Sequence, residues 1–236
     1  MSTNVFPFER LPPELRNMIY EEAFNSGNTV RIHRHKRGLS GRFALKANMT
    51  VPRKKKGSTK TVPFLEAKGT AILRISKLVY SEALPALYST RIFLFTTNKS
   101  FHQSVTEWPS RLRCIRHIQL LDGVTAGLLR TMVSCTDISR LQRLEIYLWH
   151  CDVCLSADNT AEDVMGAVSS FIMLGDTADA VRHRFDTIFF VVACSHIHCG
   201  KNSAAECAEQ AEKIKAAVGN TLMKKKAIKR LGVVLT

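Results

Sequence analysis

The first apolar rhythm in the chain is helical. Within residues 6–24, Leu15, Met18, Ile19 and Ala23 recur at i, i+3, i+4 and i+8, which places them on one stripe of an amphipathic helix. Pro12 and Pro13 suit an extended entry and a first turn, where the missing N–H is not used. Glu14 falls in that first turn, on the favourable side of the helix dipole. The same spacing returns in Ile72, Ile75, Val79, Ala83 and Leu87, with a break or restart expected at Pro85. Ile92-Phe93-Leu94-Phe95 then has the length and composition of a short strand.

Beyond residue 111 the rhythm alternates. Four apolar, β-branched segments at 114–121, 144–149, 187–193 and 231–235 read as strands. The first three are each followed by a helical stretch. Residues 125–133 carry Leu128, Leu129, Met132 and Val133; residues 160–174 open on Thr-x-x-Asp; residues 203–218 open on Ser-x-x-Glu, a capping-box pattern. Strands alternating with helices imply right-handed βαβ units and a mostly parallel sheet. Leucine-bearing lead-ins (RLRCIRHIQL, RLQRLEIYL, KRLGVVL) give this half an irregular, leucine-rich-repeat-like character. The fold class expected is α/β: a helical N-terminal module over residues 1–96, then an irregular strand–helix repeat half over 97–236.

Charge changes the picture in one place. The net charge is +14, yet residues 23–65 contain eleven Lys and Arg and no Asp or Glu. The rest of the chain is close to balance. The basicity therefore belongs to an insertion at about 25–63, in which residues 30–35 (VRIHRH) alternate like a short edge strand and residues 36–60 read as loop. Arg53, Lys54, Lys55 and Lys56 form its densest cluster. Such a run attracts phosphates and acidic surfaces, serves as a nuclear import signal, or simply keeps a loop solvated. No aromatic residues are interleaved with it for base stacking.

Candidate chemistry is sparse. A nucleophile elbow, a zinc-protease helix motif and a phosphate loop are all missing, and the carboxylates show no pairing pattern for acid–base work, so the chain is not expected to be an enzyme. No apolar run reaches the length of a membrane helix, and the N-terminus lacks the apolar core of a secretory signal. The expected compartment is the nucleus or cytoplasm, with no membrane partner. There the seven cysteines are reduced thiols or metal ligands. Cys151 and Cys154 in a Cys-x-x-Cys, with His198 and Cys199 at the end of a later strand, could hold a structural zinc. Alternatively, Cys194 packs as a small hydrophobe and the histidines line a loop. No other cofactor is expected.

The two N-terminal helical stretches carry more than periodicity. Leu11, Pro12, Glu14, Leu15, Arg16, Asn17, Ile19 and Tyr20 form one motif. Leu73, Arg74, Ser76, Lys77, Val79, Tyr80, Glu82, Ala83, Leu84, Pro85, Leu87 and Tyr88 form a second, leading into the Ile92 strand. Together, and in this order, they resemble a fungal F-box-like protein family. That resemblance implies an F-box-like module followed by a recognition half. It also implies a partner, the Skp adaptor of a cullin-RING ubiquitin ligase, bound through Leu11, Pro12, Leu15, Ile19 and Tyr20. The expected function is thus non-enzymatic protein–protein interaction as a substrate adaptor. The alternative is a zinc-stabilised nuclear protein contacting nucleic acid through the basic insertion.

Overall fold

The computed structural model describes residues 8–24, 29–36, 43–52, 59–64, 70–121, 140–149, 164–165, 168–169, 171–172, 177–193 and 204–224. A 3-10 turn at Phe8–Arg10 leads into helix α1 (Pro13–Phe24). Three strands follow, β1 (Thr29–Lys36), β2 (Phe43–Pro52) and β3 (Thr59–Pro63). A second 3-10 turn at Thr70–Arg74 precedes α2 (Lys77–Ser89) and β4 (Ile92–Phe95). Next come α3 (Asn98–Glu107), α4 (Pro109–Leu112), β5 (His117–Leu120) and β6 (Arg143–Trp149). The described chain closes with α5 (Ala178–Asp186), β7 (Ile188–Ala193) and α6 (Ala204–Met223).

All seven strands belong to one sheet in the order β3-β2-β1-β4-β5-β6-β7. The five strands β1, β4, β5, β6 and β7 are parallel, and β2 and β3 add antiparallel at the β1 side. The fold is therefore α/β with a mostly parallel sheet, as the alternation in the sequence implies. β4 and β5 are hydrogen-bonded neighbours, so the sheet runs unbroken past residue 97.

Two expectations about the basic insertion are corrected. Residues 30–35 do form a strand, but an interior one: Val30 pairs with Met49 on one side and Phe93 on the other. The stretch read as loop contains β2 and the start of β3. Its lysines hid a period of two, in which Leu45, Ala47 and Met49 alternate with Lys46, Asn48 and Thr50. Val30, Ile32 and Met49 are fully buried on the core face, which fixes the register, since a one-residue slip would turn them outward.

The break expected at Pro85 is also displaced. α2 runs through Pro85, and the interruption falls at Ile75–Ser76. There the Ser76 hydroxyl accepts from the Val79 N–H and caps the helix. Proline costs this helix one hydrogen bond near its C-terminal end, while Val79, Ala83 and Leu87 keep an unbroken buried stripe. Of the four strands expected in the second half, three match β5, β6 and β7. The segment 231–235 and the helix at 125–133 lie outside the described residues.

The core is continuous from α1 to α6. Its N-terminal end is aromatic: Tyr88 of α2 stacks on Phe93 of β4 at 5.2 Å, and Phe64, just after β3, meets both rings edge-on. Phe95 meets Phe101 of α3 in the same edge-on way, at 5.0 Å. This cluster ties the end of the antiparallel extension to the parallel sheet. Truncating Phe93, whose ring is completely enclosed, removes the centre of that tie. Phe93→Ala is expected to cost about 3–5 kcal/mol in urea unfolding, whereas Lys60→Ala on the exposed β3 should change stability by less than about 0.5 kcal/mol.

Candidate docking surface

Helix α1 does not sit as its apolar stripe suggests. The residues facing inward are Arg16, Tyr20 and Phe24, spaced i, i+4, i+8. Leu15, Met18 and Ile19 face outward, with 45%, 64% and 40% of their surface exposed, and Ala23 is exposed as well. A guanidinium can occupy the inner face only if its charge and donors are met there.

The charge and four of the five N–H donors are met. Arg16 Nε and Nη2 donate to the two carboxylate oxygens of Glu82 on α2, at 2.8 and 2.6 Å. This is the bidentate geometry in which arginine binds carboxylate best. The remaining nitrogen, Nη1, donates to the carbonyl oxygens of Glu9, at 3.1 Å, and Leu11. One side chain thereby closes the 3-10 turn onto α1 and α1 onto α2. Tyr20 adds its hydroxyl to the same carboxylate, donating to Glu82 Oε2 at 3.0 Å. Its ring lies 5.8 Å from that of Phe8.

The electrostatics agree with this geometry. The hydrogen bond from Arg16, joined by that from Tyr20, holds the Glu82 carboxyl below its ordinary value of 4.5. The reciprocal bond holds Arg16 above its own. Burial, with the carboxylate acceptor beside it, pushes the Tyr20 phenol up.

Locking α1 by Arg16 leaves its apolar ridge to solvent. Leu15, Met18 and Ile19 are spaced i, i+3 and i+4 on that ridge. Ile75, Leu78 and Tyr80, at the entry and first turn of α2, are also exposed. No other large hydrophobic side chain among the described residues is comparably exposed.

Of the five residues implied as partner contacts, Leu15 and Ile19 are on this ridge, Pro12 is exposed and Leu11 is half-buried. Tyr20 is a correction. It is fully buried and positions α1 from beneath, so it is inaccessible to a partner. Arg53, Lys54, Lys55 and Lys56 lie outside the described residues, as do Cys151, Cys154, His198 and Cys199. The two described thiols, Cys114 and Cys207, are half-buried and take part in no disulfide. Among the described residues no cluster of three metal-ligating side chains occurs.

A second polar cluster, which apolar periodicity could not reveal, lies across β5 and β6. Glu145 Oε1 accepts from Arg143 Nε at 2.6 Å and lies 3.1 Å from His117 Nε2, while Oε2 accepts from Gln119 at 2.7 Å. His117 is paired in register with Arg143, and Gln119 with Glu145. Burial pushes the Glu145 carboxyl up, but the bonds from Arg143 and Gln119 outweigh it and leave it low. Burial likewise leaves His117 low despite the carboxylate beside it. A neutral imidazole next to a carboxylate must carry its proton on Nε2 to donate, and the cluster then fixes how β5 and β6 align.

The Arg16–Glu82 pair has a pH signature. A carboxyl held low in the folded state contributes stability that is complete above the unfolded-state value of 4.5 and is lost as pH falls through the lower folded value. Glu82→Gln should therefore lower the unfolding temperature at neutral pH. The gap to the wild type should close as pH drops below 4.5, as thermal melts across an acid series would show.

Residues 3–139 match the family model DUF7730, a domain of unknown function. No curated protein and no solved structure matches the chain. The matched segment spans more than half the chain and contains Arg16, Tyr20 and Glu82, as well as the exposed ridge. The chain thus belongs to the DUF7730 domain family.

Proposed function

We propose that this protein is a non-enzymatic protein–protein interaction protein whose docking face is the apolar ridge of α1 with the adjoining start of α2. One observation carries the reading: the strongly exposed large hydrophobics among the described residues all fall on these two neighbouring elements. Exposed apolar residues scattered singly mean little, but a contiguous group marks an interaction site. Leu15, Met18 and Ile19 have the spacing of helix-borne anchors for a groove on a partner. The Arg16–Glu82 pair supports the same reading, because it holds the ridge rigid before binding and so reduces the ordering cost of association.

The partner to which the F-box-like resemblance points is the Skp adaptor of a cullin-RING ubiquitin ligase. In this reading the parallel-sheet half selects the protein to be modified. Purified full-length protein should retain the adaptor in a pull-down. Leu15→Asp with Ile19→Asp should weaken that retention more than tenfold in a protein that still unfolds cooperatively, since neither side chain belongs to the buried core. A wild type that retains no adaptor, or a folded double variant that retains it undiminished, contradicts the proposal.

A further inference from the structure

The basic insertion has a structured part with its own geometry. On β1 and β2, side chains alternate between two faces. One face carries Val30 and Ile32 into the core. The other carries Arg31, His33 and His35 on β1, with Lys46 directly opposite His33 and Asn48 directly opposite Arg31 on β2. Arg31, His35 and Lys46 are exposed and His33 is half-buried. No aspartate or glutamate occurs anywhere in residues 23–65 to neutralise this strip.

Burial, and then the charges of Lys46, His35 and Arg31, hold the His33 imidazole low, so at neutral pH it stands opposite Lys46 as an uncharged hydrogen-bonding group. Nothing in the hydrophobic packing requires this arrangement, because the core face alone fixes the register. The opposite side of β1 is different. There a cleft of about 330 Å³ between β1 and α3 contains Arg34, Lys99 and His102 together with Glu107. Its charges are relayed internally, since Arg34 donates to Gln103 and Gln103 donates to Glu107. On the outer strip, by contrast, the exposed cations Arg31 and Lys46 have no Asp or Glu of residues 23–65 beside them.

We propose that the outer face of β1 and β2, centred on Arg31, His33, His35 and Lys46, binds the phosphate backbone of a nucleic-acid strand. Alternate residues along a strand stand about 6.7 Å apart, on the scale of successive phosphates in an extended polynucleotide. The strip offers charge and donors in a row, and it offers no aromatic platform. Recognition is therefore of backbone rather than sequence. The strip carries no apolar side chain that could enter a bilayer, which favours a polynucleotide over a lipid surface. This inference is independent of the docking proposed for α1, which uses a different surface.

The test uses full-length protein and fluorescein-labelled single-stranded RNA and DNA of about 16 nucleotides, read by anisotropy over a salt series. The wild type should bind with affinity falling steeply as salt rises. Arg31→Ser with Lys46→Ser should weaken binding roughly tenfold and flatten the slope of log K against log salt by about 1.4, because two phosphates are no longer neutralised. Arg31→Lys with Lys46→Arg, which keeps both charges, should bind like the wild type and controls for folding. The proposal is overturned if the wild type does not bind. It also fails if the serine variant matches the wild type while neutralising Arg53 to Lys56 removes all binding. Capture by phosphatidylserine vesicles without any oligonucleotide binding overturns it in favour of a membrane surface.

Discussion

A guanidinium on the inner face of the first helix constrains everything around it. Arg16 cannot be left unpaired where it sits, so α1 must lie where Glu82 of α2 can receive it, and the preceding turn must offer its carbonyls. Those demands leave one orientation for the helix. In it Tyr20 and Phe24 enter the core, while Leu15, Met18 and Ile19 cannot. The exposed ridge is thus a consequence of the ion pair, which binds two sequence motifs more than sixty residues apart. Those motifs belong together because each supplies half of one contact.

The sheet supplies the frame on which that contact is mounted. β1 is its pivot, parallel to β4 on one side and antiparallel to β2 on the other. Its buried Val30 and Ile32 join the aromatic cluster of Phe64, Tyr88 and Phe93 into a single core. This leaves two chemically opposite surfaces on one scaffold. The α1–α2 ridge is apolar and suited to a protein groove; the outer face of β1 and β2 is cationic and suited to phosphate.

Much of the architecture was legible in the residues, for identifiable reasons. β4 and β7 are short and apolar, as strands buried on a parallel sheet read, Phe189 to Val192 being the plainest, while β5 and β6 alternate apolar core residues with His117, Gln119, Arg143 and Glu145. β2 and β3 were not legible, because their alternating residues are small or weakly apolar and the run Arg53 to Lys56 between them dominates the composition. The inner face of α1 was hidden for a related reason. Apolar periodicity finds the stripe with the most carbon, and here that stripe is the outer one. Arg16 and Glu82 were visible as motif residues, but their contact is long-range, and no local rule joins positions 16 and 82. The same limit hid Glu145 and its three partners, which meet only through strand pairing.

A double-mutant cycle between Arg16 and Glu82 tests the central claim most directly. Arg16→Met, Glu82→Gln and the double variant would be unfolded in urea at neutral pH beside the wild type. If the pair is what holds α1, the losses are strongly non-additive, and the double variant is no less stable than the worse single one. Losses that simply sum would show that the two side chains act independently, and the clamp on which this account rests would have to be abandoned.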